Sequence, residues 1–101
     1  MKIPSYIIPL IDGSYAVVSP KISPRRDARA ADLRNVIFLA DVEIRRPGFM
    51  KHEPYKFSDV ALSRDAGGNY SVNVDAGGIV FVRALVLRAM TEAYRREEAS
   101  V

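Results

Sequence analysis

Cysteine is absent from this chain of 101 residues, and histidine occurs once, at His52. The missing thiols exclude a disulfide framework, a thiolate zinc site and a Cys nucleophile. A single histidine with no H-x-x-x-H spacing and no nucleophile elbow supplies neither a metal pair nor a catalytic dyad. His52 stands beside Glu53 between two prolines, where it reads as a surface loop residue. Long apolar runs are missing as well, and none approaches the roughly 18 residues of a membrane span. The first apolar stretch, residues 3–11, is broken by Pro4 and Pro9 and lacks a small-residue cleavage site, so it does not read as a signal peptide. The expectation is a cytoplasmic protein with no membrane partner.

Carboxylates are scattered. Asp41, Glu43 and Asp59 lie within strand-like segments, while Asp65 and Asp75 each open an Asp-Ala-Gly-Gly tetrapeptide, where turn and cap duties account for them. Gly77-Gly78 is followed by neither Lys nor Ser/Thr, so it is not a phosphate-binding loop. No catalytic set, metal site or cofactor site is expected, and the chain reads as non-enzymatic.

What is present describes a single small domain, with 49% apolar and 27% charged residues. The net charge of +3 is unevenly placed: residues 1–64 carry eleven cations against seven anions, and residues 65–101 carry four against five. Eleven of the fifteen cations are arginine, which suits planar contacts with carboxylate or phosphate. That excess is compatible with nucleic acid or an acidic partner and is too small to identify either.

Read in order, the chain gives ββαβββα, an α+β domain whose antiparallel sheet is packed by a short helix and a long C-terminal helix. Residues 3–11 and 14–19 form a hairpin, joined at Asp12-Gly13 as a two-residue type I′ turn requires. Its first strand belongs at an edge, because prolines cannot donate ladder bonds. Ser23-Pro24 reads as the N-cap and first residue of a helix over 24–34. Residues 35–46 are the central strand, buried on both sides at Val36–Ala40 and on one side beyond. Residues 55–63 are a strand of mixed pattern with no evident inner face. A loop of about four residues then leads to the strand 69–75. The last segment, 79–98, reads as a helix capped by Asp75, although Ile79–Val82 is also compatible with a strand. Ile79, Val82, Val86, Ala89, Met90 and Ala93 share one helical face. From Pro24 onward the succession of elements resembles that of double-stranded-RNA-binding domains. Where those domains carry a basic cluster, this chain has Ala76-Gly77-Gly78-Ile79-Val80-Phe81.

Three surfaces stand out. Val80, Phe81, Ala84 and Leu87 lie off the main helical stripe, so the first half of this helix is apolar nearly all round. A small sheet has difficulty hiding such a helix, and homodimerisation through these residues is expected. The loop between the third and fourth strands carries Arg45, Arg46, Phe49, Met50, Lys51, His52 and Tyr55, with Lys56 next. Cations interleaved with aromatic and flexible apolar side chains suit a protein partner's groove, or the stacking of single-stranded nucleic acid. Arg25, Arg26, Arg29 and Arg34, behind Lys21, place cations on the short helix in a geometry able to meet phosphates. The plain alternative is a solvated face paired locally with Asp27 and Asp32. The sequence therefore points first to a protein-binding or regulatory module, and second to a nucleic-acid binder using 25–34 and 45–56.

Overall fold

The computed structural model describes residues 5–11, 13–21, 35–45, 55–74 and 80–99, with Val80 described by its backbone only. Five strands, β1 (Tyr6–Pro9), β2 (Tyr15–Pro20), β3 (Val36–Arg45), β4 (Tyr55–Arg64) and β5 (Tyr70–Val72), form one sheet in chain order. All neighbours are antiparallel. One helix, α1 (Val80–Ala99), crosses a single face of this meander and touches all five strands. The α+β class and the edge position of β1 agree with the sequence. The expected helix at 24–34 and the cap at Asp75 lie outside the described residues.

Both hairpin loops are built alike, and the two-residue type I′ turn is corrected. The Leu10 N–H donates to the Ser14 carbonyl at 2.9 Å and the Gly13 N–H to the Leu10 carbonyl at 3.2 Å. Between β4 and β5, the Asp65 N–H donates to Asn69 O at 3.0 Å and the Gly68 N–H to Asp65 O at 3.0 Å. Each loop therefore has three residues inside its closing pair, with glycine at the third. Gly13 has φ 86° and Gly68 φ 84°, the left-handed conformation a bulged three-residue hairpin demands. In the second loop the Asp65 carboxylate also accepts from the amides of Gly67 and Asn69, both at 2.9 Å. Those amides, the Asn69 one foremost, hold its pKa below the ordinary carboxylate value.

The faces of β3 and β4 also differ from expectation. Along β3, buried Phe38, Ala40, Val42 and Ile44 alternate with half-buried Ile37, Leu39, Asp41 and Glu43, so no stretch is buried on both sides. In β4 the mixed pattern comes from a β-bulge: Ala40 pairs with Val60 and Val42 with Phe57, leaving Ser58 and Asp59 opposite Asp41. Asp59 has φ 53°, and the extra residue moves the inward set from Phe57 to Val60 and Leu62. Strand β5 stops at Val72 rather than 75. Asn73 instead pairs through its side chain, with Oδ1 accepting from Ala61 N at 2.9 Å and Nδ2 donating to Asp59 O at 3.3 Å.

The core lies between the sheet and α1. Ile8, Leu10, Ala16, Val18, the inward residues of β3 and β4, Val72 and Val74 meet Val82, Leu85, Val86, Ala89, Met90 and Ala93. These helical positions repeat at three and four residues, which is why 80–99 is helical despite β-branched residues at its start. Removing each large side chain from water contributes about 1.5–3 kcal/mol.

Candidate interaction surface

In an antiparallel meander, the β1–β2 loop falls at the same end of the sheet as the last residue of β3 and the first of β4. The register fixes the neighbours there: Pro9 opposes Tyr15, Tyr15 opposes Arg45, and Ile44 opposes Tyr55. Arg45 is anchored. Its Nε lies 3.0 Å from Glu43 Oε1 and its Nη2 3.1 Å from Glu43 Oε2, a two-pronged contact along one strand face. Glu43, and then the Tyr15 hydroxyl, raise the guanidinium pKa above its already high value. On that outer face Tyr15 opposes Arg45 and Lys56 opposes Glu43, whereas Tyr55, 43% exposed, opposes Ile44 and so lies on the face that α1 crosses; Ile11, 78% exposed, lies in the β1–β2 loop.

Of the expected partner-binding residues, Arg45 and Tyr55 are thus brought to one end of the sheet. Arg46, Phe49, Met50, Lys51 and His52 lie outside the described residues, as do Arg25, Arg26, Arg29 and Arg34. Ile11 and Tyr15 join the same end and were not singled out from the sequence. Ile11 was hidden by its place in an apolar strand-like run, and only the pairing of Tyr15 with Arg45 brings that ring to the site.

The helical surface is distributed differently. Phe81 is 49% exposed and Ala84 is exposed, whereas Leu87 is partly buried against the chain's own core. Along the same face Ala84, Leu87, Arg88, Thr91, Glu92 and Arg95 line a shallow groove of about 300 Å³.

A third polar group is structural. On the sheet face away from α1, Lys21 Nζ sits 3.0 Å from Asp41 Oδ1 and 2.6 Å from Asp59 Oδ1. Asp41 also accepts from the Asp59 N–H at 3.0 Å. Asp59, then Asp41, hold the lysine pKa above its ordinary value. This cluster fastens the end of β2 to the bulge in β4 across β3. Among the described residues no group of three or more His, Asp or Glu side chains is placed to hold a metal ion, and no helix is long and apolar enough to cross a membrane. No protein-family model, curated protein or solved structure matches this chain, so its function is read from these residues.

Proposed function

We propose that this chain is a protein-binding, regulatory or accessory module rather than an enzyme. It would recognise another protein through the end of the sheet that carries Ile11, Tyr15, Arg45 and Tyr55, together with the 46–54 segment. A homodimer would form through the α1 face that begins at Val80 and includes Phe81, Ala84 and Leu87. One observation carries the partner reading: Ile11 and Tyr55, two large side chains, stand in water at the end of the sheet where Arg45 is already locked to a carboxylate. Exposed aromatic and aliphatic anchors at the same end as an oriented arginine are the usual makings of a protein hot spot.

The competing reading is binding of single-stranded nucleic acid, with Tyr55 as a stacking platform and Lys56 and Arg45 as phosphate contacts. Glu43 weighs against it, because the carboxylate neutralises Arg45 where a phosphate would need the charge. Affinity capture from the native host, run in parallel with wild type and an Ile11→Ser/Tyr55→Ser variant, tests the choice. A protein retained by wild type and lost from the equally folded variant is the expected result. Equal recovery by both counts against this surface. Binding of labelled DNA or RNA that weakens steeply with salt would favour the nucleic-acid reading instead.

A further inference from the structure

The two free edges of the sheet, β1 and β5, share a feature that the sequence does not announce. In an antiparallel ladder, bonded and non-bonded pairs alternate. Since Leu10·Ser14 is a bonded pair, Ile8·Ala16 is the next, and Ile7·Val17 and Pro9·Tyr15 are non-bonded. The backbone groups of Ile7 and Pro9 therefore point outward, to where an added strand would dock. The same count from the bonded Asp65·Asn69 pair makes Tyr70 and Val72 the outward residues of β5.

Each edge has one outward carbonyl taken by the helix. Arg96 Nη1 donates to Ile7 O at 3.2 Å, and Arg83 Nη2 donates to Val72 O at 3.3 Å. These arginines lie near opposite ends of α1, which spans the sheet from one edge strand to the other. On β1 the next outward position is Pro9, which has no N–H to offer. Ile7, with its carbonyl capped, carries one of the most exposed large apolar side chains among the described residues, at 63%. An exposed apolar edge strand is a template for edge-to-edge association unless its polar groups are blocked.

We propose that α1 acts as a clasp that guards both edges of the sheet against strand addition, with Arg96 and Arg83 each occupying one carbonyl that an incoming strand would need. The clasp confines partner binding to surfaces formed by side chains. It stands independently of which macromolecule the hairpin end recognises.

The test compares wild type with Arg83→Met/Arg96→Met, which keeps the apolar stems and loses the donors. Wild type at about 0.5 M salt, where surface charges are screened, serves as the control for lost charge. Sedimentation velocity gives the size distribution, and infrared spectroscopy reads intermolecular β-sheet. The clasp variant is expected to form species larger than those of wild type at about tenfold lower concentration, with new intermolecular β-sheet, while wild type in high salt behaves as it does in low salt. Equal behaviour of a folded clasp variant and wild type overturns the proposal, as does equal association of wild type in high salt. Should the double variant not fold, Arg83→Met and Arg96→Met are read singly. Each is expected to associate more readily than wild type, and two folded single variants that do not would overturn the clasp equally.

Discussion

At Gly68 an added Cβ would meet nothing closer than the Arg64 side chain at 3.7 Å, an ordinary contact. The obstacle to a larger residue is therefore the φ of 84°, a conformation that costs L-residues roughly 1–2 kcal/mol. Gly68→Ala is expected to lower stability by about that amount, read from the urea midpoint, without loss of fold. An unchanged midpoint would mean the loop relaxes to another turn. The glycines of both loops were legible as turn signals, since Asp-Gly and Gly-Gly between apolar strands have few other uses. Loop length was not, because one residue more or less is decided by which closing pair forms. Asp59 was illegible as well. An aspartate with positive φ carries no mark in the sequence, yet that residue reverses the inward face of β4.

Among elements, β2, β3 and β4 are joined on their outer face by Lys21, Asp41 and Asp59. The raised lysine pKa sets the direction of its pH dependence. A lysine with a folded pKa above its unfolded value contributes stability in full below about pH 10.4, and loses it as pH rises through the folded value. Lys21→Met should therefore cost about 1 kcal/mol at pH 7, in keeping with partly exposed ion pairs. The gap between its urea midpoint and that of wild type should close above pH 10.4. Tyr94, whose pKa Glu98 raises, loses its contribution over the same alkaline range and is common to both proteins. A gap that persists unchanged at pH 11 or above would assign the effect to lost side-chain packing. The helix was the most legible element, because a face of small and branched apolar residues repeating over about four turns fits no strand beyond Val82. Strand β5 was the least, since Asn73 replaces backbone pairing with its side chain, and a strand pattern does not distinguish the two.

For the molecule as a whole, the question is how much of α1 one sheet can cover. Val82, Leu85, Val86, Ala89, Met90 and Ala93 are hidden, and Leu87 is partly so. Phe81 and Ala84 remain in water, which favours a second copy on that face. Light scattering at rising concentration is expected to reach a dimer mass, and Phe81→Ser to shift the midpoint to higher concentration. A monomer mass at the highest soluble concentration would end the dimer reading while leaving the hairpin end intact.

The order of residues alone determined an α+β domain with an edge strand near the start, a central third strand and an amphipathic last helix. Periodicity and turn chemistry are local, and they act before any packing exists. Folding in three dimensions decided what depends on register: the bulge that sets the inner face of β4, the gathering of Ile11, Tyr15, Arg45 and Tyr55 at one end, and the arginines that guard both edges. Such features arise where residues distant in sequence share a hydrogen bond or a surface, and no local pattern encodes which distant residue that will be.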